Sequence, residues 1–373
     1  MIRYIASRLA IAAALLLGLM TLSFGLVSLL PGDPAVALLG DYATPDDIAR
    51  IHAELGLDKP LWARYLDYLA RTLRGDLGHS FFTGNSVAQE LWTRLPNTLV
   101  YLVPGLVLAL LLGIAMGTAA AYRSGRLPDK AFTAGVSVLM AMPEFVLALV
   151  LLFIFYQQLH VAPAPLGMLS ASDIPPPKVT GSTVLDAMIG GKWKVLGSIL
   201  GRAVLPIVTM GLFFAAPFGK TVRTGLLQIL HSPQIEFARA CGLRPFQVYR
   251  YALSDVRAAL MTYMVLLFAA ALSGAAIVES VFSWPGVGGW SLDGVLKGDM
   301  PVIQGFVLAM GATSLFGYVL LDTLITLLDP RARAVAIRPR SRVRAARLAP
   351  TAAPHQTVAT SDGVTLDTMT THQ

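Results

Sequence analysis

Charged side chains are scarce in this 373-residue chain: Asp, Glu, Lys and Arg make up 14% of it, and the mean hydropathy is +0.64. A soluble domain carries about a quarter of its residues as these four types. The scarcity excludes an ordinary cytosolic enzyme, a disordered chain and a nucleic-acid-binding domain. The net charge of +7 and the pI near 9.6 therefore describe orientation in a membrane, and no nucleic acid partner is expected.

Cysteine is almost absent. Cys241 stands alone, so the chain can form no intramolecular disulfide and no cysteine-based metal cluster. The six histidines include no H-x-x-x-H pair, and we expect no metal site. Gly219-Lys220-Thr221 ends like a phosphate-binding loop, but that motif requires glycine where Phe214 stands. The sequence therefore predicts neither an enzyme nor a cofactor bound to this chain.

Long uncharged stretches dominate the sequence. A helix needs about 20 apolar residues to cross the hydrocarbon core of a bilayer. We predict six transmembrane helices, at roughly 9–30, 97–122, 131–156, 203–227, 259–281 and 302–328. The fold class is an all-α membrane protein. It comprises a first transmembrane helix, an external helical segment, a core of five further spans and a basic, disordered tail, at residues 1–30, 31–95, 96–330 and 331–373.

Basic residues are concentrated on one side of the predicted membrane. Segments 1–8, 123–130, 220–257 and the tail from 329 hold 18 of the 29 Lys and Arg residues but 6 of the 22 Asp and Glu residues. Cytoplasmic segments carry such an excess, so we expect both termini in the cytoplasm. The first apolar run has about 22 residues, against 7–15 in a signal peptide, and we expect an uncleaved anchor.

The external segment contains two helix signals. Thr44, Pro45 and Asp47 have the pattern of an N-cap, a first-turn proline and a capping acid, and Gly56 marks the end of that helix. Pro60 to Arg74 repeats the pattern. We expect a packed surface lid or, alternatively, a surface that recognises an external partner.

The second span carries small residues at every fourth position: Ala109, Gly113, Gly117 and Ala121. Such a stripe lets another helix approach closely. We interpret it as a packing device.

Three acids interrupt the predicted spans: Glu144, Glu279 and Asp322. Intramembrane acids are costly and often functional, so each is a candidate for the translocation pathway. The alternatives are a structural or pore-lining role and a chemical role in an ion relay.

The tail from residue 329 contains seven arginines. They are interpreted as a basic flank that fixes the topology or, alternatively, as a contact with anionic lipid.

The loop between spans four and five, at about 228–258, contains a short helix. Ser232-Pro233 is an N-cap and first-turn proline pair, and Gly242 is a stop, so the pattern predicts a helix over about 233–241. The helix is expected to be interfacial and to dock a partner or pack on the protein itself.

Several motifs in this order resemble the permease subunits of binding-protein-dependent ABC importers, in the dipeptide/oligopeptide/nickel branch. Glu236-Phe237-Ala238-Arg239-Ala240-Cys241-Gly242 resembles their E-A-A-x-x-x-G motif, and Val278-Glu279-Ser280-Val281-Phe282-Ser283-Trp284-Pro285-Gly286-Val287-Gly288 is similar to the segment that follows it. Leu29 to Pro34, Leu55 to Pro60 and Arg74 to Gly78 add further similarity. The resemblance covers about residues 1–335.

The resemblance implies that the short loop helix is a coupling helix seated in a cleft of an ATPase subunit. The residues it assigns to that contact are Glu236, Phe237, Ala238, Arg239, Ala240, Gly242 and Leu243. Phe237 replaces the usual first alanine, and Arg244 stands where a capping serine often precedes Pro245. These departures concern the geometry of the loop.

The hypothesis that follows is a permease subunit of a bacterial inner-membrane importer for di- or oligopeptides. Its expected partners are a second homologous permease, two ATPase subunits that use the ATP, an external substrate-binding protein and the lipid bilayer. Nickel chelates and glutathione are alternative substrates within the branch. The rival hypothesis is an ion-driven secondary transporter or channel in which Glu144 or Asp322 titrates.

Overall fold

The fold is known from a computed structural model that describes residues 2–29, 34–39, 44–170 and 172–328. The predicted tail at 331–373 lies outside the described residues. Within the described ranges the chain is helical, apart from turns, loops and one antiparallel bridge between His79 and Ser86.

The described residues form thirteen α-helices. In chain order they are α1 (Ile2–Leu29), α2 (Pro34–Leu39), α3 (Pro45–Leu55), α4 (Leu61–Leu73), α5 (Val87–Tyr122), α6 (Leu127–Ala141), α7 (Glu144–Leu152, continued by π-helix at Phe153–Gln158), α8 (Thr183–Ile189), α9 (Trp193–Leu230), α10 (Pro233–Ala240), α11 (Pro245–Phe282), α12 (Val287–Lys297) and α13 (Met300–Leu328). The predicted all-α class is confirmed.

Five of the described helices contain a stretch long and apolar enough to cross a membrane: α1, α5, α9, α11 and α13. The pair α6–α7 makes a sixth candidate, but its two halves meet at 104°. The prediction of one continuous helix at 131–156 is therefore wrong in detail. The break has a local cause, because Pro143 disfavours helical backbone at the preceding Met142, which is extended (φ −89, ψ 127).

The centre of the structure is the pairing of α5 with α9. A Cβ placed on Gly113 would lie 2.7 Å from Phe218 Cδ1 and 3.1 Å from the Gly219 nitrogen. A Cβ on Gly117 would overlap the Gly219 carbonyl oxygen. The predicted close approach at the small-residue stripe is confirmed.

The region between α1 and α5, called the lid below (residues 34–39 and 44–86), contains the two predicted short helices. Thr44 caps α3, since its Oγ1 accepts a hydrogen bond from the Asp47 N–H at 3.3 Å. Gly56 ends α3 in the left-handed conformation at φ +66, where L side chains are strained. Pro60 precedes α4 as predicted.

Candidate functional site

Helix α10 lies in the loop that joins α9 to α11, before the apolar stretch that begins at Ala259. Its start follows the sequence pattern, with Ser232 extended and Pro233 in the first turn. Gly242 takes the left-handed conformation (φ +77), and its N–H donates to the Arg239 carbonyl at 2.9 Å. The expected short helix and its stop are confirmed, although the Ser232 side chain makes no capping hydrogen bond.

One side chain anchors α10 to the bundle. Ile235 is 0% exposed and belongs to the same buried cluster as Leu230 at the end of α9 and Val248 at the start of α11. Burying an isoleucine side chain is worth about 2 kcal/mol. Ile235 therefore connects α10 to the ends of both long helices.

The opposite side of α10 is exposed and partly apolar. Phe237 is 72% exposed and Phe246, in the first turn of α11, is 68% exposed. Leu243 is also exposed. Large apolar groups grouped on a polar loop make this side of α10 a candidate contact surface. Glu236 and Arg239 flank it with opposite charges.

The entry into α11 is capped without the serine that the resemblance led us to expect. The Arg244 N–H donates to Gln247 Oε1 at 2.8 Å, which is the backward half of a capping box. The Gln247 side chain thus satisfies the Arg244 N–H, and the Gln247 N–H, to which a capping serine would offer its oxygen, donates to the Arg244 carbonyl at 2.9 Å.

An ion pair ties α9 to α6 close to the same loop. Arg223 binds the Asp129 carboxylate with both Nε, at 2.5 Å, and Nη2, at 2.9 Å. The Gly125 N–H also donates to Asp129, at 2.8 Å. Bidentate geometry of this kind fixes orientation as well as distance. This pair was not predicted from the sequence, because its partners stand 94 positions apart.

The carboxylate of Glu279, near the end of α11, is 1% exposed and accepts hydrogen bonds from two other helices. The donors are Thr98 Oγ1 at 2.5 Å, Tyr101 Oη at 3.1 Å and the Gly289 N–H at 2.8 Å. A carboxylate facing the first turn of α12 is also stabilised by the helix dipole. Glu279 thus joins α5, α11 and α12.

The segment after Glu279 folds back onto α5. Trp284 Nε1 donates to the Asn97 carbonyl at 2.8 Å, and Asn97 Nδ2 donates to the Pro285 carbonyl at 3.0 Å. A Cβ on Gly286 would overlap the Glu279 carboxylate, and one on Gly288 would overlap the backbone of α11. The glycines of this motif are required by close approach.

Glu144 begins α7 at the break after α6 and is buried. A Cβ on Gly274 of α11 would lie 2.8 Å from its Oε2, and its Oε1 has no hydrogen-bond partner among the described residues. Tyr101 lies within electrostatic reach of both Glu144 and Glu279. The side chain of Asp322 lies outside the described part of α13.

The seven loop residues from Glu236 to Leu243 lie on α10 and in the turn that follows it. Within the described part of the chain, no group of three or more metal-ligating side chains occurs. The sequence signal for the Glu279 partners was the polar pair Asn97-Thr98 inside an apolar span.

Comparison with known families assigns this architecture. Residues 109–334 match the family described as "Binding-protein-dependent transport system inner membrane component", and residues 1–102 match the N-terminal model of the same transport systems. The chain belongs to this family. It is a multi-pass inner-membrane permease component, and the resemblance seen in its motifs is confirmed.

Curated relatives span nearly the whole permease. The "Probable D,D-dipeptide transport system permease protein DdpB" of Escherichia coli K12 is 33% identical, over 84% of this chain and 92% of the relative. The "Dipeptide transport system permease protein DppB" of Alkalihalophilus pseudofirmus is 30% identical, over 89% of this chain and 99% of the relative. DppB of Escherichia coli K12 matches at the same identity and shares.

Proposed function

We propose that this permease forms the translocation pathway of a bacterial ABC importer for di- or oligopeptides. The support is the family membership together with relatives, named as dipeptide permeases, that align over at least 84% of the chain. An external binding protein delivers the substrate, and a second homologous permease completes the pathway. Two ATPase subunits use the ATP. Nickel chelates and glutathione are the competing substrates, and uptake assays with each class separate them.

The proposed topology has both termini and α10 in the cytoplasm. The supporting observation is the concentration of basic residues in 1–8, 123–130, 220–257 and the tail. The same topology puts the lid on the outer side, where the binding protein arrives.

We assign α10 to ATPase docking. The observation that carries this assignment is the two-sided character of the helix: Ile235 is fully buried, while Phe237 and Leu243 are exposed. A partner cleft covers the exposed side, and small Ala240 allows close approach. Because the buried side is continuous with α9 and α11, ATPase closure moves the ends of both helices. The Arg223–Asp129 pair carries that movement to α6.

The docking assignment is tested with glycine substitutions. Gly242 and Gly191 both have positive φ, at +77 and +61, and both have open space where a Cβ would stand. Alanine costs about 1–2 kcal/mol in that conformation at either site. Only Gly242→Ala lies at the proposed docking surface, so Gly191→Ala, in the predicted external loop, is the matched control.

The expected result is weaker co-purification of the ATPase subunits and lower ATP-dependent uptake with Gly242→Ala, and a more severe loss with Gly242→Pro, while membrane insertion is unchanged. Gly191→Ala retains both activities. Stoichiometric ATPase subunits and normal uptake in Gly242→Pro would contradict the docking assignment.

A second function, ion-driven transport, has one supporting observation, the buried Glu144 oxygen without a hydrogen-bond partner among the described residues. Liposomes that contain this chain alone separate the two functions. Uptake driven by a proton or sodium gradient without ATP, and abolished by Glu144→Gln, would favour the second function. The importer requires ATP and its partner subunits.

A further inference from the structure

An aromatic strip lies beside α10 and joins two loops on the same side of the bundle. It consists of Tyr122 at the end of α5 and of Phe246 and Tyr249 at the start of α11. The ring centroids of Tyr122 and Tyr249 are 6.1 Å apart, in an edge-on arrangement, and those of Phe246 and Tyr249 are 6.4 Å apart. The strip therefore connects the α5–α6 turn with the entry into α11.

The two ends of the strip are exposed. Tyr122 is 42% exposed and Phe246 is also exposed, while Tyr249 between them is half-buried. Aromatic side chains are enriched in the contact surfaces between proteins. They are also enriched at the membrane interface, so the depth of the strip decides between the two.

The strip lies beyond the lipid headgroups. Tyr249 stands ten positions before Ala259, where the apolar stretch of α11 begins, and α11 is one helix over this interval. At 1.5 Å per residue this is about 15 Å, and about 11 Å remain at a helix tilt of about 40°. The headgroup layer is only about 5–8 Å thick on each side. A partner that covers the strip is therefore a protein.

The strip is continuous with the exposed side of α10. Phe246 belongs to both, and Arg239 of α10 lies within electrostatic reach of Tyr122. Helix α10 has eight residues, whereas a stable protein interface uses about 20–30 residues on each side. A protein that docks on α10 therefore needs neighbouring surface, and the strip provides it.

The turn between α5 and α6 is held in place and is basic. The Gly125 N–H donates to the Asp129 carboxylate at 2.8 Å, and the Arg126 N–H donates to the Arg123 carbonyl at 3.0 Å. Arg123 and Arg126 are exposed, and neither forms an ion pair within the described part of the chain. Guanidinium groups bind carboxylates through paired N–H donors, so the turn suits an acidic partner surface.

We propose, resting on the assignment of α10 to ATPase docking, that the same ATPase subunit covers the aromatic strip and binds the turn at 123–126 through acidic side chains. The ATPase subunit then has a second contact, on the α5–α6 connection. Gly125 is bonded to Asp129, and Asp129 to Arg223. The second contact therefore acts directly on α6 and α9, without passing through α10.

Photo-crosslinking of the assembled transporter tests the second contact. The photoreactive residue benzoylphenylalanine replaces one exposed aromatic residue at a time: Phe237 on α10, Tyr122 in the strip or Phe82 in the lid. Phe82 is 44% exposed, which matches Tyr122, but it lies on the outer side in the proposed topology and is the control. We expect crosslinks to the ATPase subunit from Phe237 and Tyr122 and none from Phe82.

The crosslinks separate this proposal from the docking assignment on which it rests. A crosslink from Phe237 without one from Tyr122 would overturn the second contact and leave α10 as the docking helix. The absence of crosslinks from both positions would overturn the docking assignment as well. Crosslinks from Tyr122 to lipid or to the second permease instead of the ATPase subunit would also overturn the proposal.

A charge reversal tests the turn itself. Glutamate is favourable at a helix N-terminus, so Arg126→Glu is expected to leave α6 folded. It should weaken binding of purified ATPase subunits roughly fivefold, and added salt should reduce this difference. Lys192→Glu reverses an exposed charge next to α9 in the predicted external loop and should bind as the wild type does. Equal binding by Arg126→Glu and Lys192→Glu would overturn the contact with the turn.

Discussion

The Glu279 carboxylate offers the sharpest separation of a structural from a transport role. Glu279→Ala leaves Thr98 Oγ1 and the Gly289 N–H without their acceptor at a position that is 1% exposed, while Tyr101 Oη keeps the Ala275 carbonyl at 3.4 Å. Each buried donor left unsatisfied costs about 1–3 kcal/mol. The variant should therefore lose at least about 2 kcal/mol of folding free energy, because the two costs arise together.

The assay is thermal unfolding of the purified chain in detergent, followed by uptake at a temperature where the variant remains folded. Tyr101→Phe is a milder control variant, since it removes the hydrogen bond from Tyr101 to Glu279 and leaves those from Thr98 and Gly289. It should lose about 1 kcal/mol. Wild-type stability in Glu279→Ala combined with abolished uptake would refute the structural role and favour the pathway role.

Three further predictions concern packing, coupling and the lid-side loop. Gly117→Ala should destabilise the chain by about 1–3 kcal/mol in thermal unfolding, because its Cβ overlaps α9. Asp129→Asn should lower uptake per ATP hydrolysed and lower the thermal stability of the chain, and the exchange of Asp129 and Arg223 should restore part of both. The hydrogen bond from Ser198 holds the pKa of Asp173 below its usual 3.8, so proteolysis of that loop should increase as the pH falls below about 4.

Each of these three predictions has a control variant and a result that would contradict it. A Cβ on Gly201 of α9 would have no atom within 4 Å, so Gly201→Ala should stabilise the helix or leave its stability unchanged. Equal losses of thermal stability in Gly117→Ala and Gly201→Ala would contradict the packing role of Gly117. If the exchange of Asp129 and Arg223 restores neither uptake per ATP hydrolysed nor stability beyond the level of Asp129→Asn, the pair has no coupling role. Because the pKa of Asp173 is lowered in the folded chain, its stabilisation of the loop is present above pH 3.8 and is lost on acidification. If proteolysis of Asp173→Asn rises with acid as much as proteolysis of the wild type, the acid sensitivity does not come from Asp173.

Local signals predicted the short helices well. The cap at Thr44, the stop at Gly56 and the ends of α10 at Pro233 and Gly242 are set by neighbouring residues, so the sequence contains the whole cause. The close approach at Gly117 was predictable for a similar reason, because a stripe of small residues along one helix face allows a neighbouring helix backbone to approach it.

Other features depend on residues far apart in the chain. The composition of residues 131–156 is apolar enough for a membrane span, but it does not reveal that Pro143 changes the direction of the helix axis. Glu279 was predicted as a pathway candidate, yet its hydrogen-bond donors stand 181, 178 and 10 positions away. Only the folded bundle brings them together. Its assignment and those of Glu144 and Asp322 remain predictions.

The sole cysteine provides the most direct test of the central claim, that α10 is a cytoplasmic helix covered by an ATPase subunit. Cys241 ends α10 and is exposed. A membrane-impermeant maleimide should label it in inverted vesicles without ATPase subunits, leave it unlabelled in right-side-out vesicles, and fail to label it in the assembled complex. Labelling from the outside, or equal labelling with and without bound ATPase subunits, would contradict the account.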